Sequence, residues 1–194
     1  MRHRDDQKIS RTFEAALQII GQKGLAGLKM QQLAKQAGMA TGTLYVYFKD
    51  KNDLLNQMYV HYVKQMQRNI WGELRIDAPF EEKFRQRWYN YLRYVQQFPA
   101  EIVFLEQYHR SPFASQDDIA QQGNVLQPLV EIILEGQKAG TLIHLPVNLV
   151  LSFICGSVQE MVAWSENGHL PAVTDITHQA WELTWKSVSK QPRN

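Results

Sequence analysis

Apolar side chains recur along this chain every three or four residues, and no segment keeps strand-like alternation between two turn signals. Sustained over 194 residues, that periodicity leaves an all-α fold, because each helix must bury its apolar stripe against another helix. The first helix is expected at about 6–23, with Ile9, Phe13, Ala16, Leu17 and Ile20 on one face and Gly24 suited to its C-terminal end. Two short helices follow, about 29–37 and from 41 onward, broken by Gly38. Met30, Leu33, Ala34 and Ala37 point inward from one, Leu44 and Phe48 from the other. Asp50 can cap a long fourth helix at about 51–74, roughly 35 Å at 1.5 Å per residue. Its stripe is Leu55, Met58, Tyr59, Tyr62, Met66 and Ile70. Beyond Pro79, a stripe of Phe80, Phe84, Trp88, Tyr91 and Val95 predicts a fifth helix. Others are expected at about 100–109, 116–122, 125–139, 146–167 and 174–189, punctuated by Gly140 and Gly168, ten candidate segments for a fold of about nine helices.

Apolar residues form 44% of the chain and charged residues 21%, a globular rather than a disordered composition. The single cysteine, Cys155, excludes an internal disulfide framework and a Cys-rich zinc site, and suits a reducing cytoplasm. The first ten residues lack the apolar core of a secretory signal. The longest apolar stretch, 142–164, is interrupted by His144, Asn148, Gln159 and Glu160 and makes a poor membrane span. The net charge of +2 hides an asymmetry: residues 1–51 carry nine Lys and Arg against four Asp and Glu, and residues 52–194 carry twelve against fifteen. The expectation is a basic head, 1–51, that meets a polyanion, and a mildly acidic body, 52–194.

Within the head, two short helices around Gly38, Met39 and Ala40, preceded by a longer support helix, have helix-turn-helix spacing. The second short helix is held by its apolar side and can enter a major groove with the other. Its outward residues would be Thr41, Gly42, Thr43, Tyr45, Val46 and Tyr47. The small residues at its start let backbone N–H groups approach a phosphate. Tyr45 and Tyr47 offer hydroxyls, and Lys49 and Lys51 supply charge just beyond. The same spacing also serves plain packing units, and tyrosines often pack.

The run from Leu33 to Leu54, LAKQAGMATGTLYVYFKDKNDL, resembles the signature of TetR-family transcriptional regulators: an L-A-x-x-A-G turn, then G-T-L-Y-x-Y-F and a following K-x-x-L. The detailed resemblance covers about residues 9–60. It implies a dimeric DNA-binding repressor with an all-helical ligand-binding body. By position it implies that Thr41, Gly42 and Thr43 begin the recognition helix, that Tyr45 and Lys51 contact phosphate, and that Tyr47 faces the groove. Two positions depart from the pattern. Lys29 stands where the family usually has Thr or Ser, and Ala40 where it often has Ser. Each removes a hydroxyl cap worth about 1 kcal/mol. Thr41 is then expected to cap instead, and Lys29 to contact phosphate directly.

In multidrug-responsive members of that family, aromatic residues on these helices line an effector cavity. The resemblance therefore points to Tyr59, Trp88 and Tyr91 around an apolar pocket, although an aromatic stripe at helical spacing also serves as plain core. On the helix at 146–167, Phe153, Gly156, Ser157, Glu160 and Trp164 share a face. A carboxylate among aromatics can hold a lipophilic cation. Glu106, beside the apolar run 102–105, is a second candidate. Either acid could equally lie at a rim or pair with Arg85 or Arg87. The final helix has apolar flanks at Ile176, Ala180, Trp181, Leu183, Trp185 and Val188, and needs a partner. Packing the last two helices against the same pair of a second chain gives a four-helix homodimer interface, the family's arrangement. Two heads would then address half-sites of a near-palindromic duplex about 34–36 Å apart, or one further turn.

No phosphate loop, nucleophile elbow or zinc-protease motif appears. Glu106 with His109 and Glu166 with His169 are both Glu-x-x-His pairs, as in helical di-iron proteins, but the second runs through Gly168. The sequence therefore calls for no metal, cofactor or catalytic residue. It reads as a cytoplasmic, effector-responsive DNA-binding regulator. The alternatives are a helical small-molecule-binding protein without DNA function and, more remotely, a di-iron enzyme.

Overall fold

The computed structural model describes residues 2–72, 77–114 and 126–190. Among these residues the regular structure is helical, with one isolated antiparallel bridge between Leu142 and Ser189. The helices are α1 (Arg2–Gly27), α2 (Met30–Gln36), α3 (Thr41–Tyr47), α4 (Lys51–Trp71), α5 (Phe80–Gln97), α6 (Pro99–His109), α7 (Gln127–Lys138), α8 (Val147–Glu166) and α9 (Val173–Val188). The expected helix at 116–122 lies outside the described residues. Contacts divide the chain into two compact units, one holding 2–65 and 98–114, the other 66–72, 77–97 and 126–190.

In the first unit α1 packs on α2 and α6, and α2 on α3. Phe13 on α1 meets Phe48 at 6.0 Å and Tyr62 at 6.1 Å, and Tyr62 meets Phe104 of α6 at 5.8 Å. These rings close the core with Leu33, Leu44, Leu54 and Leu55, all fully buried. The helix α1 runs past Gly24, where the sequence suggests its end. Gly24 does take a left-handed conformation (φ 67°), so the helical ladder breaks there. The Leu25 N–H finds its acceptor on the side chain of Gln107 of α6, at 3.1 Å. At the start of α4, Asp50 Oδ1 accepts from the Asp53 N–H (2.9 Å), and Asp53 Oδ2 from the Lys49 N–H (2.8 Å). This reciprocal cap fixes where the short helix α3 stops and the long one begins.

In the second unit α5 packs on α7 and α8, α7 packs on α8, and α8 packs on α9. The stripe Phe84, Trp88, Tyr91 and Val95 is buried as its spacing requires. The helix α9 is anchored by aromatic rings. Trp181 and Trp185 stack at 5.7 Å and 18°, Phe84 lies 6.0 and 5.8 Å from them, and Trp88 lies 5.8 Å from Trp181. The helix α8 is long and apolar enough to cross a membrane by length and composition. One side of it is covered by α5, α7 and α9. The other side leaves Leu149, Phe153 and Trp164 exposed.

The C-terminal end of α4 is held by a residue that periodicity does not single out. Arg87, 2% exposed, donates to the carbonyls of Ile70, at 3.0 Å, and Trp71. Its guanidinium lies over the Trp71 ring, 4.2 Å from the centroid, and Asn90 Nδ2 donates to the same Ile70 carbonyl at 3.0 Å. The last carbonyls of a helix lack partners within it and carry its negative end. A planar cation supplies both needs at once.

Candidate nucleic-acid interface and effector hollow

The turn between α2 and α3 is built from backbone. Gly38 takes φ 70°, and the Met39 N–H returns to the Ala34 carbonyl at 2.9 Å. Leu44, fully buried, and Phe48 tie one side of α3 into the core. The opposite side faces solvent: Gly42 is exposed, Tyr45 is 49% exposed and Val46 79%. Thr41, Thr43 and Tyr47 are half-buried. The cap positions of α2 and α3 are Lys29 and Ala40, and neither helix start has a side-chain cap. Thr41 therefore does not cap. It lies within α3, one residue past the position whose hydroxyl would accept from the N–H groups of the first turn.

The candidate DNA contacts differ in how freely they are presented. Lys29 and Lys49 are exposed. Lys51 turns toward its own unit, where its ammonium donates to the Ala26 carbonyl at 3.4 Å and lies 5.0 Å from the Phe113 ring centroid. Burial lowers its pKa. The Tyr47 hydroxyl donates to Asp5 Oδ1 at 2.7 Å and accepts from Lys8 Nζ at 3.4 Å. Tyr47 thus stands at the edge of the exposed face, held by the N-terminal part of α1. Nothing in the sequence spacing singles out that pairing, since 42 residues separate Tyr47 from Asp5.

Of the three aromatics expected around one cavity, the structure gives each a different setting. In the first unit the Tyr59 ring stacks on Tyr108 at 4.6 Å, and its hydroxyl lies 3.4 Å from His109 Nε2. Burial raises that phenol to about 12. In the second unit the Tyr91 hydroxyl accepts from Gln159 Nε2 at 3.0 Å. Trp88 alone of the three lines the large hollow of that unit, about 590 Å³ between α8 and α9, with Phe153, Met161, Ile176 and Leu183 around it. The Trp88 indole N–H is buried in the wall and meets no acceptor among the described residues.

Glu160 and Trp164 are exposed on α8 and do not line this hollow; Trp164 instead packs edge-on against His169 at 6.3 Å. Glu106 is exposed on α6, beside a separate hollow formed with Leu25, Arg110 and Phe113. Helical spacing puts Glu160 on the face of Phe153 and Ser157. The side of α8 that lines the hollow runs instead through Phe153, Ser157, Val158 and Met161, one position away. Cys155 is buried, and burial pushes its thiol up to about 12. His169 lies past the end of α8, beyond Gly168 (φ 75°), so it does not share a helical face with Glu166.

A solvent-facing second helix on a basic helix-turn-helix head, in a chain whose second unit has an apolar hollow lined from α5, α8 and α9, defines a helix-turn-helix regulator of transcription. Comparison with known proteins gives the family. Residues 13–58 match the bacterial regulatory proteins of the tetR family, and residues 79–189 match the tetracyclin repressor-like C-terminal domain. An uncharacterised HTH-type transcriptional regulator of Haemophilus influenzae is 26% identical over 191 residues, 98% of this chain and 100% of that protein. The crystal structure of a TetR family transcription regulator from Marinobacter aquaeolei superposes with a TM-score of 0.89 at 21% identity, over 98% of this chain and 100% of that one. That of FadR from Bacillus subtilis, in complex with stearoyl-CoA, does so with a TM-score of 0.63 at 22% identity, over 90% and 96%. The chain belongs to the tetR family, and it is a DNA-binding transcriptional regulator.

Proposed function

We propose that this regulator is a cytoplasmic repressor that holds a near-palindromic operator as a homodimer and leaves it when an apolar or aromatic effector enters the body. The observation that carries the reading is the solvent-facing side of α3 on a head with five excess positive charges. Head and body divide near residue 51. Thr41, Gly42, Thr43, Tyr45 and Tyr47 meet the groove and its walls, and Lys29, Lys49 and Lys51 meet phosphates. The dimer forms through α8 and α9, where Leu149, Phe153, Trp164 and Leu183 stand exposed on an apolar face. The effector occupies the inner part of the hollow, against the buried Trp88, while the exposed Phe153 and Leu183 at its open side belong to the dimer face. The apolar lining favours an acyl chain or an aromatic ring over a hydrophilic ligand. The stearoyl-CoA in the FadR complex carries an acyl chain of that chemistry. The helix α4 contributes residues to both units and is the element through which an occupied body would change the spacing of the heads. Such an effector must bind the released state more tightly, and a hundredfold preference corresponds to about 2.7 kcal/mol.

The test uses a duplex selected by the full chain from a random-sequence library. Binding should weaken steeply with salt, and stearoyl-CoA should release the preformed complex. Lys51→Ala should weaken binding to every sequence and reduce the log–log salt slope by about one. Because Lys51 rests on Ala26 and Phe113 in the free chain, an unchanged slope would make it a packing residue of the head. A chain that selects no duplex removes the repressor reading altogether.

A further inference from the structure

The helix α3 carries one large apolar side chain that the fold does not use. Val46 is 79% exposed, the most exposed of the large hydrophobic residues among those described. One turn before it stand Gly42 and Thr43, and a Cβ built on Gly42 would meet no atom within 4 Å. The space beside the isopropyl group is therefore open. Its direction is nonetheless fixed, because Leu44 and Phe48 bury the other side of the helix completely. A β-branched residue in a helix also has one strongly preferred rotamer. Stability gives no reason for valine here. A seven-residue helix with no side-chain cap would gain from Ala, Lys or Glu at a solvent-facing position.

We infer that Val46 reads the 5-methyl group of a thymine in the major groove. The inference rests on α3 being the helix that enters that groove. Valine has neither donor nor acceptor, so it contributes nothing to hydrogen-bonded readout. The thymine methyl is the apolar group that base pairs present in the major groove. The neighbours leave this task to Val46. Thr41 and Thr43 also carry a methyl, but both are half-buried at the helix start, whereas Val46 is 79% exposed. The Tyr47 hydroxyl is engaged by Asp5 and Lys8. The rigid isopropyl group, with open space on its Gly42 side, can close on a methyl without displacing another side chain.

Replacing thymine by deoxyuridine removes that methyl and nothing else. Each thymine of the selected duplex is replaced in turn, and affinity for the full-length chain is measured by fluorescence anisotropy. One position per half-site is expected to lose about threefold to tenfold, the worth of one methyl taken out of water. Val46→Ala should bind the thymine and deoxyuridine duplexes equally well at that position, and Val46→Thr should keep part of the difference. Thermal unfolding of Val46→Thr should match the parent, and that of Val46→Ala should match or slightly exceed it. The inference is overturned if no thymine in the half-site is sensitive, or if the sensitivity persists at full size in Val46→Ala. Failure of the parent chain to bind any selected duplex overturns the groove reading itself, and this one with it. The two failures are distinct, because the parent on the thymine duplex reports on the first alone.

Discussion

Leu183→Arg is expected to turn a dimer at micromolar concentration into a monomer, and to cost the chain a hundredfold or more in affinity for its full operator. Leu183 is 71% exposed on α9 and lines the hollow, so within one chain its loss removes little packing. Across a two-fold axis the consequence differs. An isologous interface brings the substituted position in from both copies, so two unpaired charges are desolvated for each dimer formed. The helix itself stays anchored by Trp181 and Trp185 on Phe84. Thermal unfolding of the variant should therefore stay close to the parent's. The affinity loss follows from effective concentration: linking two modest head contacts on one duplex raises avidity by about 10²–10⁴, and a monomer forgoes it. Sedimentation gives the assembly state. Anisotropy on a half-site duplex isolates the head, whose affinity should not change. A parent chain that sediments as a monomer, or a variant that remains a dimer with full operator affinity, would refute an interface through α8 and α9.

The elements of the fold that the sequence makes legible are those decided by local rules. Helical spacing, the left-handed glycines at 24, 38, 140 and 168, and the Asp50 cap act within a turn or two of themselves, and the structure has them. The same holds for the buried side of each helix: Leu33, Leu44 and Phe48, or Phe84, Trp88 and Tyr91, are core because their spacing leaves them no alternative. Partner choice is not local. Tyr59 and Trp88 look equivalent as polar-tipped aromatics on inward stripes. One stacks on Tyr108 in the first unit, and the other walls a hollow in the second. Periodicity names the face of a helix without naming what lies opposite. The Tyr47 contact with Asp5 illustrates the same gap, since a half-buried tyrosine near the end of α3 and a charged residue near the start of α1 share no pattern. Glu160 shows how narrow the margin is. A helical face about 100° wide includes it with Phe153, and a rotation of one position takes it off the hollow. The one sign of Arg87 in the sequence is negative. It is a charged residue flanking the most aromatic stripe of the chain, where a solvated arginine would have to point away from the core.

Arg87→Ala should lower the stability of the second unit by about 2–4 kcal/mol, with a fall in Tm of roughly 5–15 °C. The size follows from what remains after truncation. The Ile70 and Trp71 carbonyls lose a charged donor, and of the two only Ile70 keeps Asn90. Hydrogen bonds to a charged group are worth about 1.5–3 kcal/mol, and buried acceptors left without a donor add their desolvation cost. The negative end of α4 also loses its compensating charge, and the Trp71 ring loses the cation above it. The cation is itself desolvated, which lowers its pKa, while Glu131 and Glu135 oppose that effect. The net worth is therefore less than the sum of its contacts. Arg87→Lys keeps the charge but not the planar fork, so it should recover part of the loss and leave one carbonyl unserved. Lys83→Ala is the control. Its 2.5 Å pair with Glu135 lies nearby, with the carboxylate half-exposed, and removing an exposed pair costs about 1 kcal/mol at most. Urea unfolding of the three variants separates the effects. Arg87→Ala within about 0.5 kcal/mol of Lys83→Ala would mean that water already serves the end of α4. A large, lysine-resistant loss would show that the last turn of this helix is held by a fork of hydrogen bonds rather than by charge alone.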